Sequence, residues 1–449
     1  MIFSCAVVVW ASARDFSIAS FGAKTDGGNC AGAIRDAVAA CSAAGGGRVV
    51  VPPGRWTTGA VHLKSNVELH LSDGATLAFT DNVSDYLPAV PVSWEGVECL
   101  NLSPLVYAYG ATNVAITGHG VLSAKVDFWR KWDAQPRDEK AQAAWNKLVF
   151  EWGGGGVRVD ERNLSELPGA KFRPQFIHFN RCEGVRLEDF SMRGSPFWCV
   201  HLFNSRSLRM KGVDVSAVPE DDSLPLRNTD GVDVESCTDV VISSCSFCQG
   251  DDAIVIKSGR NEDGRRLGVP TDGVLVEDCI VNRGHVLLGI GSELSGGVRN
   301  VKMRNCRVEG EATRLFFVKT NRHRGGFVEN ISMENVYADI VAREVLSVIT
   351  SYPGEKGMPV PEGLPPTRIC GLSISNVVCK TAGAVANVWG DPISPICGVR
   401  MNRVEVGKIS GGGDPADINA VSIENACNVV VDGIHIGNAP KRQLRLEHW

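Results

Sequence analysis

The sequence predicts an all-β chain wound as one right-handed parallel β-helix with a short N-terminal capping helix, and two observations carry that prediction. A pattern of apolar-x-apolar, two polar or glycine positions, then apolar-x-apolar recurs in ten copies, from VAITGHGVL at Val114 to VVVDGIHI at Val429. From Leu208 onward most copies return every ~25–35 residues, the period of a solenoid whose units bury their apolar faces only by stacking. The alternation inside each copy has period two, which is strand and not helix. The 49 glycines are too many for a helical protein and suit a chain made of tight turns.

In chain order, residues 1–13 contain a short apolar run and then Ala11-Ser12-Ala13. That small-x-small pattern resembles a secretory signal without the usual positive n-region, and it predicts a secreted or periplasmic protein. Residues 14–449 are read as one domain. They open with FGAKTDG (21–27) and an amphipathic helix over 31–44, stopped by Gly45-Gly46-Gly47. Short strands broken by Pro-Pro-Gly and Ser-Asp-Gly turns follow, and then the repeats begin. Two segments interrupt the rhythm: a helical insertion over 127–168 and a Pro/Gly-rich loop over 351–366. Loops of this length on a solenoid commonly wall a cleft.

Composition excludes several partners. A net charge of −5 offers no attraction to nucleic acid or an anionic membrane, and no stretch is long and apolar enough to span a bilayer. The 15 cysteines are not clustered as in a disulfide framework, and Cys245, Cys279 and Cys306 share one repeat position, which predicts an interior stack. No C-x-x-C pair has partner histidines, so the sequence implies no zinc site and no cofactor. A capped β-helix is expected to be a monomer.

The chemistry concentrates in residues 227–258, RNTDGVDVESCTDVVISSCSFCQGDDAIVIKS. Asp230 precedes Ser236 as Asp252 precedes Ser258, so stacking the two runs brings Asp230, Asp251 and Asp252 to one strand edge. In-register strands lie ~4.8 Å apart. Carboxyls held that close raise one another's proton affinity, which supplies an acid and a base at one pH. Turn chemistry accounts for Asp230-Gly231 alone but poorly for adjacent Asp251-Asp252. His285 falls one rung on at the phase of Asp251, where it can bond the acid or a substrate hydroxyl.

Four ordered motifs, Asn228-Thr229-Asp230, Gly250-Asp251-Asp252, Gly284-His285-Val286 and Phe317-Val318-Lys319, resemble those of glycoside hydrolase family 28, the polygalacturonase family. The resemblance extends from FGAKTDG through WEGVE (94–98) and SPFW (195–198). GSELSGGVRN (291–300) and KTNRHRGG (319–326) look most like bacterial and plant exo-type members. It implies a pectin-lyase-like solenoid that hydrolyses the α-1,4 linkages of galacturonan with inversion. Carried over residue by residue, Asp251 is the general acid, and Asp230 and Asp252 hold and deprotonate the attacking water. Lys319 binds a substrate carboxylate, and Asn228 belongs to the same substrate-binding set. From the residues alone, His285 tunes the site by its phase, Lys257 at the phase of Lys319 is a second substrate-binding candidate, and Arg322 and Arg324 follow closely enough to line the groove. The tight stacking sits uneasily with the carboxyl separation usual for inverting enzymes, about 6.5–9.5 Å.

This chain departs from the family pattern at two places. Phe317 stands where the family has arginine, and it lacks the bidentate fork that grips a carboxylate. Three outcomes are open: Lys319 alone serves, Arg314 or Arg322 reaches in, or Phe317 offers a flat face to a different sugar. Val286 replaces the second glycine of Gly-His-Gly and narrows the space beside His285. The rival readings are a hydrolase of rhamnogalacturonan or another pectic side structure, a pectate lyase with calcium and an arginine base, and a non-catalytic polysaccharide-binding β-helix.

Overall fold

The computed structural model describes residues 14–133, 139–355, 358–410, 420–437 and 445–447. The segment read as an export signal, residues 1–13, lies outside the described residues. Thirty of the described strands join in one parallel sheet that coils into a right-handed β-helix. Helix α1 (Ala31–Ala43) turns Ile34, Ala37, Val38 and Cys41 inward at helical spacing and packs across the N-terminal rungs. It stops at the predicted glycines, whose φ values of 90°, 123° and 146° no other residue adopts readily.

The register runs unbroken through the repeats: Val114, Val185, Leu208, Val240, Val274, Val301, Ile331, Leu372 and Val399 stack one above another. Each is buried. Burying one such aliphatic side chain contributes about 1.5–3 kcal/mol, so the stack is the source of stability. The paired polar positions are explained by the backbone. In all ten copies the second of them turns the corner at positive φ, from Gly118 through Asp189, Gly212, Ser244, Asp278, Asn305, Asn335, Asn376 and Arg403 to Gly433. Left-handed geometry selects glycine, asparagine and aspartate. Cys245, Cys279 and Cys306 each follow such a corner and are buried in contact with one another, as the repeat predicted.

The insertion folds as α2 (Val126–Asp133) and α3 (Glu139–Asn146), then a wider helical turn over Lys147–Trp152. With the antiparallel hairpin of Val90–Trp94 and Val97–Asn101 it forms a second apolar cluster containing Trp94, Trp152, Phe172, Phe197 and Trp198. A fourth helix, α4 (Asn261–Leu267), ties this cluster to the solenoid. Its Asp263 accepts hydrogen bonds from the Glu98 backbone N–H at 2.7 Å and from Arg162 at 2.9 Å, and both charged groups are buried.

Candidate active site

Four successive rungs build the site. The strand Val232–Glu235 pairs with Ile254–Lys257, which pairs with Ile280–Gly291, which pairs with Arg307–Lys319. Just before these pairings the Gly231 N–H donates to the Asp252 carbonyl at 2.9 Å, and the His285 N–H donates to the Asp251 carbonyl at 2.8 Å. Asp230 therefore sits beside Asp252, and Asp251 beside His285, as the phase of the sequence required. At the far end of the same strands Ile256 pairs with Ile290, and Gly291 pairs with Lys319.

His285 Nδ1 lies 3.3 Å from Asp251 Oδ1, and Lys319 Nζ lies 2.6 Å from Asp252 Oδ2. A Cβ on Gly289 would stand 3.2 Å from the same Asp252 Oδ2, so glycine there leaves the carboxylate its room. Lys257, almost wholly buried, lies 2.9 Å from Asp233 Oδ1, 3.5 Å from Glu293 and 3.9 Å from Asp230 Oδ2. Its ammonium also sits 3.6 Å from the centre of the Trp198 ring. Lys257 is thus placed as a counter-ion to the buried acids as well as on the cavity wall.

Protonation follows from these contacts. Burial, with the charges of Asp233 and Asp251, pushes the Asp230 carboxyl well above the ordinary range. Burial also raises Asp252, and Lys319 opposes that rise. Burial acts on Asp251 in the same sense, but the His285 hydrogen bond and Lys319 outweigh it and its pKa is lowered. His285 is raised in turn, first by the Asp251 hydrogen bond. Burial thus favours a proton on Asp230, the His285–Asp251 pair shares another, and Lys319 offsets part of the rise at Asp252.

A cavity of about 610 Å³ opens over this cluster. Asp230, Asp251, Asn228, Lys257 and Lys319 line it, together with Trp94, Trp198 and Phe197. Both interrupting segments contribute to the wall, through Lys140, Gln142 and Trp145 on one side and Tyr352, Pro353 and Gly354 on the other. Eight basic side chains line it against four acidic ones, although the whole chain is negative. Such a basic cleft concentrates an anionic ligand.

One sequence expectation is corrected, and two of the open alternatives are closed. Arg322 does not reach the cavity: its guanidinium forks onto Asp391 at 2.6 and 2.9 Å. Arg314 does not replace the missing family arginine either, because Glu344 holds it at 2.6 Å. Phe317 offers no flat face to a sugar, since it is buried with the Arg314 guanidinium 4.4 Å from its ring centre. Arg324 does line the cavity, anchored by the Ser292 carbonyl at 2.7 Å. The sequence reading missed Arg173, Arg227, Arg260 and Glu293, all on the wall. GSELSGGVRN held one signal, since Glu293 lies inside it.

Asp251, Asp252 and His285 each bring a possible ligand atom within 4.8 Å of the others, the one such group among the described residues. Lys319 already neutralises the Asp252 oxygen that a cation would need.

A parallel β-helix carrying clustered carboxyls under a basic, aromatic-walled cavity defines a carbohydrate-active hydrolase. The sequence profile of the glycosyl hydrolases family 28 matches residues 41–428, and the chain belongs to that family. It is 33% identical to the hyperthermoactive exopolygalacturonase of Thermotoga maritima, covering 95% of this chain and 92% of that one with a TM-score of 0.81. It is also 25% identical to a probable polygalacturonase of Vitis vinifera, over 88% of this chain and 74% of the relative. An exo-poly-alpha-D-galacturonosidase of Dickeya chrysanthemi is 22% identical, over 94% and 72% of the two chains.

Proposed function

We propose that the protein hydrolyses galacturonan, releasing sugar from a chain end by inversion. The observation that carries this reading is the set of Asp230, Asp251 and Asp252 beneath a cavity rich in cations. A polymer of sugar acids needs matched cations wherever it is desolvated. The buried position of Phe317 weighs against the rhamnogalacturonan reading, because the basic wall stands without the family arginine. The proteins named above as exo-acting agree with a cavity that the two insertions close on both sides.

In this mechanism Asp251 protonates the glycosidic oxygen, and the imidazolium of His285 supplies the proton through the 3.3 Å contact. A water attacks the anomeric carbon from the opposite face and gives its proton to Asp252, with Asp230 as its second hydrogen-bond partner. Asp252 suits a base better than a direct nucleophile, because it is 2% exposed and Lys319 covers Oδ2. General acid and base groups of this kind each contribute roughly 10²–10⁴-fold.

The test is purified protein on polygalacturonic acid, with and without a chelator. New reducing ends, mostly monomer or dimer, with no unsaturated product and no effect of chelator, support the reading. An ultraviolet-absorbing unsaturated product that disappears with chelator would replace it with a lyase.

A further inference from the structure

Two cysteine columns run along this solenoid, and they differ in one respect that decides their chemistry. Cys245, Cys279 and Cys306 are sealed inside the core. Cys370, Cys397 and Cys427 stand on three successive rungs near the other end, paired in register as Cys370 with Cys397 and Cys397 with Cys427. Cys370 and Cys397 are half-buried and Cys427 is exposed, and all three are free thiols. None of them lines the cavity.

We propose that Cys397 and Cys427 form a surface thiol–disulfide site, with Cys397 the attacking sulfur and a low-molecular-weight disulfide the oxidant. Neighbouring rungs lie about 4.8 Å apart, inside the Cα separation of about 4.4–6.8 Å that a disulfide spans. The Asn428 side-chain amide donates to Cys397 Sγ at 3.5 Å, a contact that stabilises sulfur carrying negative charge. Cys397 is the one member of the column whose pKa is lowered, first by hydrogen bonding from Cys427 and then from Asn428. Cys370 and Cys427 are both raised.

The exchange balances without any metal. The Cys397 thiolate attacks one sulfur of the small disulfide, forms a mixed disulfide and expels a small thiolate. Cys427 loses its proton and attacks Cys397 Sγ, expelling the second small thiolate. Two protein thiols are oxidised, one small disulfide is reduced to two thiols, and the bond ties Ala426–Cys427 to the strand Ile396–Ile409.

Oxidised glutathione is the probe, read by intact mass and peptide mapping. The expected product has lost two hydrogens and contains a cross-linked peptide joining Cys397 to Cys427. Cys427→Ser should abolish that bond and trap the glutathione mixed disulfide on Cys397, Cys397→Ser should abolish both bond and adduct, and Cys370→Ser should keep the bond. Wild type that stays unmodified or gathers only glutathione adducts would overturn the proposal. So would a glutathione adduct that gathers on Cys427 in Cys397→Ser, or a bond that is lost in Cys370→Ser. Unchanged turnover of polygalacturonic acid in the three variants checks that they are folded, and the wild-type map stands without them.

Discussion

Lys319 Nζ sits 2.6 Å from Asp252 Oδ2, and the same carboxylate oxygen lies 3.2 Å from where a Cβ on Gly289 would stand. This contact opposes the rise that burial imposes on Asp252 and favours its ionised form. The base of the reaction is thus made by a lysine two rungs away from the carboxylate.

Lys319→Met should therefore lower kcat/KM by roughly 10²-fold or more, the scale of a lost acid–base group. Without the ammonium the Asp252 pKa rises further, so the acid limb of the pH–rate profile moves to higher pH. Leaving a buried carboxylate without its partner also costs about 3–5 kcal/mol when it is charged. Steady-state kinetics across pH, with thermal melts of both proteins, check the two expectations together.

Gly289→Ala tests the same contact from the other side. The added methyl would stand 3.2 Å from Asp252 Oδ2, so either the carboxylate or the lysine must shift. We expect kcat to fall by roughly 10-fold or more, the sensitivity of catalysis to small misplacements. Turnover equal to wild type would mean that the lysine–carboxylate geometry is not limiting.

His285 governs the alkaline limb. Its folded pKa is raised above the usual value of about 6.5, so the protonated form and its contact with Asp251 are fully present below that pH. They are lost as pH rises through the folded value. Activity should decline over that window above about pH 6.5. His285→Ala should remove this limb and depress the plateau, as a pH–rate series would register.

The two wall segments bear on where the polymer is cut. Replacing α3 with a short Gly/Ser linker removes Lys140, Gln142 and Trp145 from the cavity wall. Products should then lengthen from monomer towards mixed oligomers, as sizing chromatography would report. An unchanged product profile would mean that α3 does not confine the chain end.

Much of this site is written in the sequence because a solenoid converts phase into proximity. Asp230, Asp252, His285 and Lys319 were legible once the repeat was aligned, since the site strands keep a constant register past the one shift between Val281 and Arg283. The corner residues were legible as polar or glycine pairs, and the backbone adds only the reason, a single left-handed residue at each turn. What remained hidden comes from loops that meet through space. Arg173 and Arg260 approach the cavity from unrelated segments, and no period links them to the acids. Arg322 was misplaced for the same reason, because Asp391, its partner, lies on another loop. The covered position of Phe317 was also unreadable, since a lone aromatic beside a motif looks the same whether its face is open to sugar or capped by Arg314.

The most direct measurement is the anomer first released from polygalacturonic acid, followed by proton NMR before mutarotation, with Asp251→Asn run alongside. The Asp251 and Asp252 oxygens lie within 4.8 Å, closer than the roughly 6.5–9.5 Å common in inverting enzymes, so the outcome is not fixed by spacing. The account predicts the β-anomer from the α-linked polymer, and a fold-intact Asp251→Asn variant reduced about 10³-fold or more. The α-anomer as first product, or a variant that keeps most of its rate, would contradict it.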